Sequence, residues 1–476
     1  MDKDLSSIQQ ARDMITLANQ ALIEANELTQ EQVDAIIQKM AETGYAHAEE
    51  LARMAVDETG FGKYEDKIIK NRFASRSLYE YIKDMKTAGI VNQDDEKGLW
   101  EIAIPVGVVT ALIPSTNPTS TAIFKCMICM KSRNPVILSP HPSAKKSIGH
   151  ACSLMSEAAA ALGAPKNMFQ CLSDVHMAGT RELMQNDGIA LILATGGRDM
   201  VRAAYSSGRP ALGVGPGNVP AFIERSADIR TAVSHIMESK TFDNGVICAS
   251  EQAVVTENCI ADAVIEEMKR QGCYFLSDEE AAGVGSIITR APGKLNPGIV
   301  GHTACEIAAM AGLSLPESTR VLVYREKGVG ANYPFSIEKL SPVLAFYSEE
   351  DWHSACLLCI ELLNFNGVGH SLVIHSRDMD IIREFALKKP VSRVLVNVSA
   401  SQGAIGASTS LAPSLTLGCG TVGGSATSDN VTPMHLINIR RVAFGKEKAP
   451  AGTTPETTEL DVETITQKVI EILKTI

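Results

Sequence analysis

Short runs dense in β-branched residues alternate with stretches of helical periodicity along most of this chain. That alternation constrains the fold more than any other feature. "IAIPVGVVTALIPS" (102–115), "NPVILSPHPSA" (134–144) and "IALILATGG" (189–197) read as buried strands punctuated by Pro and Gly. Helical stretches follow two of them, "KKSIGHACSLMSEAAAALG" (145–163) and "RDMVRAAYSSG" (198–208). A second alternating series comes after residue 248: "QAVVT", "CIADAVIEEMKRQG", "TRVLVYRE", "LSPVLAFY", "SLVIHS" and "RVLVNV". Strand–helix–strand repetition implies parallel pairing, hence open α/β sheets. Two such halves meet near residues 220–245, and ligands of such folds bind where loops leave the carboxyl ends of strands.

The first hundred residues read as helical. Ile8, Ala11, Ile15, Ala18 and Leu22 recur at the 3.6 period, and a second helix starts after a Thr29 N-cap and carries Val33, Ile36, Ile37 and Met40. At the other end, "GKEKAPAGTTPETTE" (445–459) is a polar linker rich in Pro and Thr. Beyond it Val462, Ile465, Val469, Ile472, Leu473 and Ile476 form one stripe of an amphipathic helix. So short a helix needs a surface to dock on, either its own domain or a partner.

At 476 residues the chain is too long for one simple core. A formal charge of −11 gives no footprint for nucleic acid and disfavours anionic membranes. The N-terminus carries charges among its apolar residues and reads as no signal peptide, and no run of about 18 apolar residues suggests a membrane span. Eleven cysteines in such a chain read as reduced thiols of a cytoplasmic protein. The two CxxC pairs, Cys126/Cys129 and Cys356/Cys359, sit in apolar helical contexts and read as buried helix-face cysteines rather than zinc ligands.

Cys248 differs from these. In "TFDNGVICASEQAVV" (241–255) it follows a flexible Asn244-Gly245 step and precedes the polar run Ser250, Glu251, Gln252. A loop through Asn-Gly lets backbone approach a ligand closely, and a thiolate is the form of cysteine that attacks a carbonyl.

With "VDETGFGKYEDKIIKN", "PVGVVTALIPSTNPTSTAIFK", "ATGGRDMVRAAYSSGRPALGVGPGNVPAFI", "EKLSPVLAFY", "GHSLVIHS" and "LTLGCGTVGG" in order, this loop resembles the nucleophile loop of the aldehyde dehydrogenase superfamily. The likeness runs from about residue 5 to 443. It is closer to the CoA-acylating branch, which includes the N-terminal half of bifunctional aldehyde–alcohol dehydrogenases and microcompartment aldehyde dehydrogenases.

The resemblance implies an aldehyde dehydrogenase-like α/β fold of two Rossmann-like open-sheet domains plus a small oligomerisation strand region. The dinucleotide-binding domain would span 1–225, the catalytic domain 226–425, the bridging segment 426–445, and the linker with the C-terminal helix 446–476. Cys248 would carry the acyl group, and the oxyanion would be met by its backbone N–H and the Asn117 amide. Hydrolytic members carry "E-L-G-G-K", whose glutamate activates water; here the stretch is "ALGVGPGNVP" (211–220), with leucine or alanine in that place. Water attack without that base loses about 10² to 10⁴ in rate, so the acyl group should pass to coenzyme A.

By the same comparison Thr195, Gly196 and Gly197 face the cofactor pyrophosphate and Glu338 holds a ribose. Gly215 lies in the cofactor-side glycine loop, and His141 stands where hydrolytic members carry "K-P-x-E". NAD is the expected cofactor, with NADP open. His370 would assist the CoA thiol, while Cys419 in "TLGCGTVGG" would border the substrate channel in a structural role. The substrate would be a short aldehyde such as acetaldehyde or propionaldehyde, with a sulfoacetaldehyde-type substrate open beside Ser115, Thr116 and Ser410. A hydrolytic (semi)aldehyde dehydrogenase and an inactive microcompartment scaffold are the other readings. No iron-dependent alcohol dehydrogenase half follows, so one activity is expected. "VTPMHLINIRRVAFG" (431–445) resembles a strand added across a neighbour's sheet, implying a homodimer or homotetramer. The tail helix looks like peptides that deliver enzymes to microcompartment shell proteins.

Overall fold

The computed structural model describes residues 3–446; the tail helix read at 460–476 lies outside them. The N-terminal helices are Lys3–Asn26 and Gln30–Ala46, the second capped by Thr29 in a reciprocal capping box with Gln32.

An antiparallel pair comes first, β1 (Gly89–Asp94) and β2 (Leu99–Pro105). Then β3 (Val109–Ile113), β4 (Val136–Pro140), β5 (Phe169–Cys171), β6 (Leu191–Thr195) and β7 (Ala211–Val214) build a parallel sheet in the order β5-β4-β3-β6-β7. Next are β8 (Val219–Ile223), β9 (Glu251–Glu257), β10 (Cys273–Phe275) and the hairpin β11 (Thr289–Ala291) and β12 (Lys294–Leu295). They are followed by β13 (Val321–Arg325), β14 (Val343–Glu349), β15 (Gly369–His375) and β16 (Val391–Val396). Seven of these form the second parallel sheet, β10-β13-β14-β9-β8-β15-β16. β17 (Ile437–Ala443) returns to pair antiparallel with β2 of the same chain.

Both faces of the second sheet are covered, which is why its strands are continuously apolar. On β14, Leu344 and Phe346 enter the core on one face while Val343, Ala345 and Tyr347 enter the core on the other. The CxxC pairs belong to separate cores: Cys126 and Cys129 lie under the first sheet, Cys356 and Cys359 against the second.

Three expectations change. The run 102–115 is two strands in different sheets, broken at Val106–Val108 where Gly107 takes φ 128°. The first hundred residues contain β1 and the start of β2, so they are not wholly helical. The domain boundary precedes residue 225, because β8 pairs with β9 and β15 in the second sheet.

The third change decides where the site lies. Only residues 215–218 link the carboxyl end of β7 to the amino end of β8. So short a link sets the carboxyl edge of the first sheet against the amino edge of the second. The carboxyl-edge expectation therefore holds for one sheet and is reversed for the other.

Candidate active site

Cys248 lies in the loop between the helix Ile229–Thr241 and the amino end of β9. Just before it, Asp243, Asn244 and Gly245 all adopt left-handed backbone, with φ of 49°, 52° and 75°. Asp and Asn tolerate that region better than most residues, yet two in succession must be held by their surroundings. Asp243 is fully buried and accepts from the Lys63 N–H (2.7 Å), from Lys67 Nζ (3.0 Å) and from Lys70 Nζ. Burial opposes its charge, but Lys70 and Lys67 outweigh that and hold its carboxyl below the usual range. Asn244 Nδ2 donates to the Gly301 carbonyl at 2.8 Å. The helix Tyr64–Arg72 thus clamps the Cys248 loop in its strained form.

The Cys248 sulfur lies 3.2 Å from His370 Nε2, and His370 Nδ1 lies 3.1 Å from Ser371 Oγ. His370 is fully buried at the start of β15. Burial, aided by the Arg393 charge, pulls its pKa down to about 3, so it is a neutral imidazole. Burial also pushes the Cys248 thiol up to about 12, with the Glu338 and Cys419 charges adding to it. The pair is therefore thiol and imidazole, not thiolate and imidazolium. With Nδ1–H donating to Ser371, Nε2 is the acceptor facing the thiol. Arg393 fixes this arrangement, donating from Nε to Ser371 Oγ (3.2 Å) and from Nη2 to the carbonyls of His370 (3.1 Å) and Gly418 (2.7 Å).

Asn117 follows β3 and immediately precedes the helix Pro118–Lys131, without capping it through its side chain. Its Nδ2 donates to the Val246 carbonyl and to Thr116 Oγ1, each at 3.2 Å, and its Oδ1 accepts from Lys70 Nζ at 2.6 Å. The structure thus brings Asn117 onto the loop that carries Cys248. Gly217 lies against it from the other side, its N–H donating to Glu338 Oε1 at 2.9 Å. Glu338 is buried, which raises its carboxyl to about 7 despite the Gly217 bond. A carboxylate is therefore close enough to influence Cys248, but it comes from position 338 rather than from 211–220.

The remaining sequence candidates line the first sheet's carboxyl edge. Thr195 ends β6, its Oγ1 3.3 Å from Thr416 Oγ1, and Gly196-Gly197 lead into the helix Arg198–Tyr205. The strand order reverses between β3 and β6, the switch point where doubly wound sheets bind ligands. A β-carbon on Gly197 or Gly215 would meet nothing within 4 Å. The space above these turns is open, so the residues fit a nicotinamide dinucleotide whose phosphates take backbone N–H donors. His141 follows β4 and is exposed, its Nδ1 engaged by Ser143, so it is separate from the Cys248–His370 pair. Gly215 interacts with Cys419, which is buried.

Sequence reasoning missed Lys67, Lys70, Asp243, Arg393 and the contact of Gly217 with Cys248. The lysines carried a signal in retrospect: an i, i+3 pair on one helix face, both fully covered.

A cysteine facing a buried histidine near the join of two parallel sheets marks the candidate site of this α/β protein. The chain belongs to the aldehyde dehydrogenase family, whose model matches residues 4–292. It is 44% identical to the bifunctional aldehyde–alcohol dehydrogenase of Escherichia coli over 92% of this chain, and it spans only 50% of that relative. It is 36% identical to the succinate-semialdehyde dehydrogenase (acetylating) of Clostridium kluyveri, covering 94% of this chain and 98% of that one. The solved structure of an acetylating aldehyde dehydrogenase from Geobacillus thermoglucosidasius matches with a TM-score of 0.92 at 50% identity, covering 94% of this chain and 99% of that one.

Proposed function

We propose that this protein oxidises a short-chain aldehyde to an acyl-CoA, using NAD(P) and coenzyme A, through a thioester on Cys248. The observation that carries this reading is the Cys248–His370 contact at 3.2 Å beside a 211–220 segment without a carboxylate.

The sulfur's proton passes to His370 Nε2 as the sulfur attacks the aldehyde carbon, forming a C–S bond and an oxyanion. The Asn117 amide, exchanging its weak bond to neighbouring Thr116, and the Cys248 N–H meet that oxyanion. The nicotinamide cofactor, when bound, supplies the hydride acceptor. Collapse of the oxyanion then leaves the thioester on Cys248. His370, neutral again once its proton is lost, takes the CoA thiol proton. CoA sulfur attacks the acyl carbon, the C–S bond to Cys248 breaks, and the departing sulfur takes back that proton from His370.

Acetaldehyde and propionaldehyde fit the short-chain reading, with NAD ahead of NADP. A homodimer or homotetramer through β17, and docking of the C-terminal helix on a microcompartment shell protein, belong to the same proposal. Among the described residues no helix is long and apolar enough to cross a membrane.

The test is reduction of each dinucleotide with a panel of small aldehydes, with and without CoA, and identification of the product. NADH or NADPH formation that requires CoA and yields acyl-CoA is expected. Equal turnover without CoA, with free acid as product, would overturn the reading.

A further inference from the structure

The helix Tyr64–Arg72 does more than buttress the nucleophile loop. Lys70 Nζ is buried and touches two groups at once, the Asp243 carboxylate and Asn117 Oδ1, the latter at 2.6 Å. Lys67 Nζ repeats the bridge one turn away, from the same carboxylate (3.0 Å) to the Thr116 carbonyl (3.1 Å). Two ammonium groups thus share the Asp243 carboxylate, and that of Lys70 sits directly on the Asn117 amide oxygen.

We propose that Lys70 is a positioning residue for the transition state, fixing the Asn117 amide and polarising it so that its N–H is a stronger donor to the oxyanion. This inference rests on the acylating reading above. The physical argument has two parts. A charged donor on the amide oxygen draws electron density from nitrogen, and hydrogen bonds in series strengthen one another in a dry interior. The oxyanion also forms near a preset cation whose field needs no reorganisation when charge develops. Because Asp243 belongs to the nucleophile loop, the same ion pair ties the donor's position to that of the sulfur.

The device should titrate. Lys70 faces Asp243 and the Phe242 ring from the nucleophile loop, Asn117 from the loop after β3, and Lys67 and Asp66 from its own helix. Burial lowers its pKa to about 8, with Asp243 opposing that fall. As pH rises through that value the ammonium is lost, and with it the polarisation of Asn117.

The experiment measures the aldehyde-dependent hydride step in wild type and in Lys70→Met, Lys70→Gln and Lys70→Arg across pH, with unfolding midpoints as a check on folding. The wild-type rate should fall on the alkaline side near pH 8. In Lys70→Met and Lys70→Gln, kcat and kcat/KM should fall together by about 10- to 100-fold, less than loss of an oxyanion donor itself. Lys70→Arg, which stays charged, should recover much of the rate and lose the alkaline fall.

A folded Lys70→Met or Lys70→Gln enzyme with wild-type rate overturns the proposal. So does a Lys70→Arg enzyme that keeps the alkaline fall. Should the variants not fold, a wild-type rate that stays flat to about pH 10 overturns it alone. Free acid from the wild type would sink the acylating reading instead, leaving the Lys70 effect measurable because oxyanion formation precedes acyl transfer.

Discussion

Gly217 and Cys248 meet backbone to backbone: a β-carbon on Gly217 would lie 1.8 Å from the Cys248 carbonyl oxygen and 3.3 Å from His370 Cδ2. The obstacle is main chain on one side and a buried ring on the other, so neither can swing away. Gly217→Ala should displace the nucleophile loop and lower turnover at least about 10²-fold, as small misplacements of reacting groups do. Gly197→Ala, at a site with nothing within 4 Å of its β-carbon, should be well tolerated by the fold but weaken dinucleotide binding. Fluorescence titration with NADH and steady-state rates on both variants check the contrast; equal effects would sink it.

The His370 ring nitrogen Nε2 lies in hydrogen-bond contact with the Cys248 sulfur, at 3.2 Å. His370→Ala should slow acyl-CoA formation by about 10² to 10⁴-fold. Rising pH should partly restore the rate, because hydroxide then ionises the thiols directly. Rapid-quench measurement of acyl-enzyme and acyl-CoA against pH is the check, and a wild-type rate in the variant would remove His370 from the mechanism.

Asp243→Ala leaves two covered ammonium groups, Lys67 and Lys70, without their carboxylate. Breaking a buried pair in this way costs roughly 3–5 kcal/mol. The added loss of a left-handed Asp should release the strained loop. Chemical denaturation should show the fall in stability, and Lys67→Met combined with Asp243→Ala should recover part of it.

His370 and His375 are both buried neutral, their pKa values lowered to about 3 from the ordinary 6.5, chiefly by burial. Below pH 6.5 the unfolded chain binds protons that the native protein refuses. Stability that is complete above 6.5 is therefore lost progressively as pH falls toward 3. At pH 5 each histidine should cost roughly 2 kcal/mol relative to pH 7. Melting temperature against pH checks this, and His375→Phe should flatten the acid limb.

Several parts of the molecule were legible in local pattern. The Thr29 cap, the β14 and β15 strands and the covered CxxC helices follow from periodicity and capping chemistry, which act over a few residues. Cys248 stood out because Asn-Gly followed by a polar run is a local signal too. The break at Gly107 was hidden because β2 and β3 are both apolar and β-branched, and a hydrophobic run carries no mark of which sheet it joins.

Sequence alone, then, determined the alternating α/β architecture and the absence of a carboxylate at 211–220, and it singled out Cys248 among eleven cysteines as the candidate nucleophile. Only the tertiary structure decided that the first sheet's carboxyl edge abuts the second sheet's amino edge, through the four residues 215–218. That junction brings Lys70 of the first half onto Asp243 of the second, 173 positions away. Such encounters depend on how two cores pack against each other, and the spacing of residues along a chain carries no record of them.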